Sequence, residues 1–349
     1  MTANPYVRRY RRVMVGLAVA LVASALLSVA LGSVWVSPWD ALRLSAWKLG
    51  LVDRPEDVAR STEVILFQLR LPRVLLAAVV GLGLAVAGTV FQGLFRNPMA
   101  DPAIIGVSSG AALGAVLVIL AGGSAGFGGF GVPVAAFAGA LATALLVYRL
   151  ARIGPAVQVA TLLLAGIAVA ALISSLLSLV MSLAGEELRS IYFWLLGGLG
   201  ARGWDALTAA GPFVAAGALA AVLTMGDLNL MVLGEERAAQ LGVEVERFKR
   251  GALAVGALLA AAAVSVSGVI GFVGLMTPHV LRLVVGADHR RLLPAVMLAG
   301  PAFLILTDLV ARTVLAPEEL PVGAVTALLG GPFFLFLLRR ERRLAHGHG

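Results

Sequence analysis

The 349-residue chain contains no cysteine, so disulfides, thiolate metal sites and cysteine nucleophiles are excluded. Charge is also scarce, at 13% of residues, where soluble domains carry about a quarter. Lysine is nearly absent, with Lys48 and Lys249 alone among the 27 basic residues. Neither follows a glycine cradle of the form G-x-x-x-x-G-K-[ST], so the chain does not bind and hydrolyse ATP through a P-loop of its own. The four histidines show no ligand spacing joined to carboxylates, and no metal site is expected.

What is present is apolar sequence. Hydrophobic residues make up 60% of the chain and the mean hydropathy is +0.97. At roughly 20 residues per crossing, this length holds about ten spans and no sizeable soluble domain. The expected fold is therefore an all-α integral membrane bundle forming a single transmembrane domain over residues 1–349. Uncharged runs place the spans near 13–34, 74–95, 104–121, 131–150, 157–183, 205–225, 251–270, 273–286, 292–314 and 320–338. The first is read as an anchor, because its apolar core is too long for a signal peptide's. Charged stretches at 35–73 and 226–250 are expected to be loops.

The net charge of +8 lies in short segments between the spans rather than on one face, which argues against a nucleic-acid partner and for topology signals. With ten spans, 18 of the 27 basic residues fall on the side of the N-terminus, and both termini are expected to be cytoplasmic. Gly106, Gly110 and Gly114 recur every four residues, a spacing that lets helix backbones approach in lipid.

Three features invite a chemical reading. Gly106-Val107-Ser108-Ser109-Gly110 matches the nucleophile elbow of serine hydrolases, but it enters an apolar helix directly where the elbow needs a preceding strand, so helix packing is preferred. Asp308 and Arg312 lie four apart and share a helix face. They serve either as an interfacial ion pair or in transport, although so few buried charges argue against an ion-coupled transporter. Residues 226–243 read as a short amphipathic helix ended by Gly242, with acidic charges that suit a protein partner better than an anionic lipid surface.

Longer motifs then occur in register: Arg70-Leu71-Pro72-Arg73, the run from Gln92 through Arg96-Asn97-Pro98-Met99 to Pro102, Gly106 to Ala111, Leu162 to Gly166, Gly234-Glu235 with Leu241-Gly242, Gly271 to Leu275 with Pro278-His279, and Glu319 to Gly323. Together they resemble the FecCD-type ATP-binding-cassette permeases, which import iron complexes and cobalamin. The resemblance implies a ten-span subunit of a bacterial plasma (inner) membrane, acting as a homodimer in the lipid bilayer. Its partners would be two cytoplasmic ATP-binding subunits, which hold the ATP and Mg, and an extracytoplasmic solute-binding protein. It implies no cofactor and no catalytic residue in this chain.

By the same resemblance, Arg70, Arg73 and Arg312 meet acids of the binding protein, and Gly234, Glu235, Ala238, Leu241 and Gly242 dock the ATPase. The cytoplasmic gates fall at Asn97 and Met99 and at Val159 and Ala160, and spans 5 and 10 line the path. The implied cargo is a bulky iron chelate, haem or a ferric siderophore, with cobalamin as the alternative. Gln158-Val159-Ala160 departs from the polar gate of the cobalamin permease, while the wording around Arg96 and Gly106 is closer to haem permeases.

Overall fold

The computed structural model describes residues 5–32, 34–123, 129–154, 156–200 and 202–346. Among these residues the regular structure is helical apart from one short ribbon. Ten apolar helices of the described residues carry the architecture, seven of them long enough to cross a membrane and three shorter. They are α1 (Pro5–Ala30), α4 (Leu71–Leu94), α5 (Val107–Leu120), α6 (Gly131–Ala151), α7 (Val159–Ser182), α9 (Trp204–Leu223), α12 (Val245–Ser267), α13 (Val273–Val285), α14 (His289–Thr313) and α15 (Val322–His346). Each falls on one of the apolar runs read from the sequence.

The stretch between α1 and α4 differs from expectation. Where an open charged loop was anticipated, α2 (Pro38–Lys48) is followed by α3 (Arg60–Val64), and α3 runs without a break through a π-helical turn, Ile65–Arg70, into α4. The apolar helix therefore begins at Arg60 rather than near residue 74. Two causes are visible. Lys48 and Arg54 both reach Glu63, at 3.0 and 3.6 Å, so the charges are paired. Leu44, Val58 and Leu66 form a small buried cluster beneath them. Pro72 has no N–H for the carbonyl four residues back, and its ring would crowd that carbonyl; the widened π turn absorbs both effects.

Helix α4 is the axis of the bundle, packed by α9, α12, α13 and α14, while α1 lies on α14. Glycine sets the closest approaches. A side chain at Gly88 would strike the Gly274 carbonyl of α13, and one at Gly81 would strike Gly300 of α14. In lipid no hydrophobic force favours one apolar surface over another, so such backbone contact is the main source of helix cohesion. The Gly106 repeat works the same way in part. Gly110 and Gly114 meet the backbone of α6, whereas Gly106 sits before α5 at φ +78° in a left-handed turn.

Between α9 and α12 the expected single amphipathic helix is two, α10 (Met225–Val232) and α11 (Glu235–Gln240). Gly234 separates them at φ +110°, a conformation that favours glycine. Gly242, at φ +93°, ends the second as expected. The remaining pieces are α8 (Leu188–Leu195) and the antiparallel ribbon of β1 (Arg152–Ile153) with β2 (Ala156–Val157), which leads into α7.

Candidate functional site

Polar side chains gather at the two ends of the bundle. At the α2 end, α4, α14 and the turn before α15 converge on Asp308, which is fully buried. Arg73 is its main partner, with Nε 3.1 and 3.0 Å from the two carboxylate oxygens and Nη2 at 2.9 Å. The Nη1 of the same guanidinium donates to both oxygens of Glu319 at 2.9 Å. The anticipated pairing of Arg312 with Asp308 is present only at 3.9 Å. Arg312 instead turns to α1, where it donates to the Ser28 carbonyl and, at 2.7 Å, to the Ser28 hydroxyl. Four residues along a helix set a shared face, but the distant Arg73 reaches that face with better geometry.

Arg70 is also buried, at 5% exposure. It donates to the carbonyls of Val29, Ala30 and Val34, capping the chain as it leaves α1. Of the three arginines implied to meet an outside protein, then, two spend their donors on the fold and the third holds two acids of this chain.

Sequence reading missed a fourth. Arg202, between α8 and α9, lines the same basin, a cavity of about 430 Å³ that also involves Arg70, Arg73, Arg312 and Glu319. Among the described residues no hydrogen bond or ion pair satisfies Arg202. Burial lowers its pKa to about 10, which leaves it charged at neutral pH. Four arginines against Asp308 and Glu319 give the basin an excess of positive charge suited to carboxylates. No motif marks Arg202; only the folded chain brings it beside the others.

At the opposite end lie α10, α11 and both segments that the resemblance implies as gates. Asn97 is exposed and its Oδ1 accepts the Met99 N–H at 2.9 Å, forming a tight turn just after α4, while Met99 is half-buried. Val159 and Ala160 open α7 directly after the ribbon. Of the five residues implied to dock an ATPase, Leu241 is 59% exposed and Gly242 is exposed, but Ala238 is fully buried on the inner face of α11. Val232 and Leu233, which the motif left out, are exposed instead. The outward surface of this loop is thus a pair of apolar edges flanking Glu236 and Arg237.

Several bonds fix the loop to the bundle. Asn229 on α10 donates to Asp288 at 2.7 Å and accepts the His289 N–H at 2.8 Å, tying α10 to the start of α14. Burial raises the Asp288 carboxyl, but the Arg290 and Asn229 donors and the charges of Arg291 and Arg290 outweigh it and hold the group below its ordinary value. Glu235, at the start of α11, reaches Lys249 of α12 at 2.6 Å.

The serine of the elbow-like motif lies elsewhere. Ser108 is in the first turn of α5, a 3₁₀ turn (Pro102–Ile105) precedes it where a hydrolase needs a strand, and Ser109 donates to the Gly106 carbonyl at 3.0 Å. These are the contacts of a helix start.

One end thus presents an exposed apolar loop beside the turns at Asn97 and Val159, and the opposite end a basin rich in arginine. The FecCD transport family matches residues 20–340. A cobalamin import permease of Halobacterium salinarum is 47% identical across 88% of this chain and 81% of its own. A hemin transport permease of Yersinia pestis is 44% identical across 81% and 85%. A solved structure of a metal-chelate type ABC transporter in an inward-facing conformation overlays with a TM-score of 0.80 at 34% identity, over 95% of this chain and 99% of that one. The chain belongs to the FecCD transport family and is a multi-pass membrane protein of the kind that serves as the permease subunit of ABC importers, which work with ATP-binding subunits.

Proposed function

We propose that this chain moves a bulky iron chelate, haem or a ferric siderophore, inward across a bacterial plasma membrane by alternating access. It does so as a homodimer of ten-span subunits with cytoplasmic termini, driven by two ATP-binding subunits and supplied by an extracytoplasmic binding protein. The observation that carries this reading is the position of the α10–α11 loop, exposed at its apolar edges and seated beside both gate turns. A loop so placed offers an ATPase groove a helix end to grip and a short path to the gates. The Arg202 basin then faces outward, where carboxylates of a binding protein steer and orient the encounter. Helices α7 and α15 leave large apolar residues uncovered, among them Leu164, Leu172, Leu328 and Phe336, and these rows suit the contact between two copies around the path.

Replacement of Gly234 by leucine tests the docking assignment. Leucine strains the backbone at φ +110° and thickens the joint between α10 and α11. The expected result is loss of ATPase copurification from a permease that still elutes as a folded dimer; a variant that keeps its ATPase and its ATP-driven uptake would overturn the reading. Cobalamin is the second cargo reading, favoured by the 47% identity to a cobalamin permease over most of the chain. Absorbance and mass of the ligand carried by the cognate binding protein decide between the two.

A further inference from the structure

The chain uses arginine almost to the exclusion of lysine, yet one of its two lysines is nearly inaccessible. Lys249 stands one turn into α12 and is 4% exposed. Its ammonium serves three separate pieces of chain: Glu235 of α11 at 2.6 Å, Glu246 of α12 at 2.9 Å and the Val157 carbonyl of β2 at 3.0 Å. The other carboxylate oxygen of Glu246 accepts the Val157 N–H at 2.9 Å. Val157 is therefore gripped at both polar atoms of its backbone. One residue later the chain reaches Gln158 and then Val159 and Ala160, the opening turn of α7.

The choice of lysine fits the geometry. Three acceptors on three elements match the three donors of a compact ammonium in number; the planar fork of arginine suits paired carboxylate oxygens, as Arg73 finds at the other end. The ammonium is buried, although its two carboxylate partners are each about a third exposed, and its bonds are charge-assisted. A displacement of α11 against α12 must then either carry β2 along or break those bonds.

We propose that Lys249 is the positioning residue through which the ATPase docking loop moves the cytoplasmic gate: a shift of α11 pulls Glu235, Lys249 follows, and Val157 draws the start of α7 with it. The proposal rests on the importer reading above. It assigns the gate's mechanical link to a residue that touches neither the cargo nor the ATPase.

The absence of cysteine makes the test clean. A single cysteine at Gln158, which is exposed, carries a nitroxide label in each copy of the reconstituted complex with its ATP-binding subunit. Pulsed electron resonance reads the distance between the two labels with and without ATP and Mg. In the parent complex the distance is expected to change with nucleotide. With Lys249→Met the ATPase is expected to stay bound and to hydrolyse ATP while the distance stays fixed; with Lys249→Arg, which keeps the charge but not the three-way geometry, the change is expected to shrink to less than half. Lys249→Arg also stands in where the Met variant fails to fold. A variant gate that answers nucleotide as the parent does overturns the relay alone. Loss of the ATPase from Lys249→Met overturns it too, by assigning Lys249 to the docking face. A parent gate indifferent to nucleotide overturns the importer reading and the relay with it.

Discussion

The two ends of the bundle bury charge to a similar degree and to opposite purpose. At the α2 end Asp308 is fully buried and at the α11 end Lys249 is 4% exposed. Around Asp308, however, cations exceed acids, and one of them, Arg202, is left facing a cavity. Around Lys249 two carboxylates and a carbonyl take up the three donors of a single ammonium, and no donor is left over. The difference teaches that burial alone does not give a charged group its role. A surplus marks a surface that awaits a partner, whereas a closed set ties parts of one chain together. Removing the anchor of the Asp308 set should have the largest effect. Asp308→Ala leaves Arg73 and Arg312 without their shared counter-charge among packed helices, a loss of about 3–5 kcal/mol for a buried pair. The expected outcome is little monodisperse protein on size exclusion and a steep fall in melting temperature. A well-folded Asp308→Ala protein would mean that Glu319 suffices for Arg73 and the bonds to Ser28 of α1 suffice for Arg312.

The surplus itself is probed next, with a smaller and more selective effect. Arg202→Gln removes a cation that no group in the described chain satisfies, so the fold should lose little. Affinity for the binding protein should fall roughly tenfold at low salt, and the gap between variant and parent should narrow as salt rises, because the contact is screened over about 10 Å at 0.1 M. Titration of the purified binding protein against permease in nanodiscs reads both. Equal affinity at low salt would move the docking charge back to Arg73. Arg70→Gln is the contrasting case, since its guanidinium caps three carbonyls and its loss should appear as instability before it appears as weak docking.

The positions of the helices were legible in hydropathy, and the reason is physical: lipid tolerates no unpaired backbone, so apolar runs of sufficient length become helices. The arrangement of those helices was not legible in the same way. α4, with the turns before it, and α7 have equal window hydropathy of 2.5, but 78% of one window and 22% of the other is buried. Hydropathy cannot separate them because lipid and protein interior are equally apolar. Glycine spacing was a better guide where it acts between neighbours, as for Gly110 and Gly114 against α6. It gave no warning of Gly88 meeting Gly274, whose partners are far apart in sequence.

Charge was misread for a related reason. Residues 60–73 looked like a loop because their charges were counted as solvated, when Glu63 and Arg73 in fact find partners within the chain. The family motifs marked Arg70, Arg73, Arg312, Glu235 and the gate turns, and the fold places these at two coherent ends. They did not mark Arg202 or Lys249, because a leftover charge and a three-way bond are properties of assembled chains rather than of spacing.

The smallest effect expected is also at the α2 end, at Arg43 and Asp57. They form two parallel hydrogen bonds of 2.6 Å, among the shortest ion-pair contacts of the described residues. By contact distance alone this pair should matter more than Arg73 with Asp308 at 2.9 Å. The opposite is expected, because Asp57 is 64% exposed and Arg43 is about a third exposed. Water competes for both partners, ions screen them, and ordering two long side chains cancels much of the attraction. Arg43→Ala should therefore leave the melting temperature of the detergent-solubilised protein unchanged within error, at low and high salt alike, while Asp308→Ala collapses it. A clear destabilisation by Arg43→Ala that fades with salt would show that the α2 segment depends on its charges rather than on Leu44, Val58 and Leu66 beneath them. That result would also break the contrast between the two ends, since exposed pairs would then rank with buried ones in holding the α2 end together.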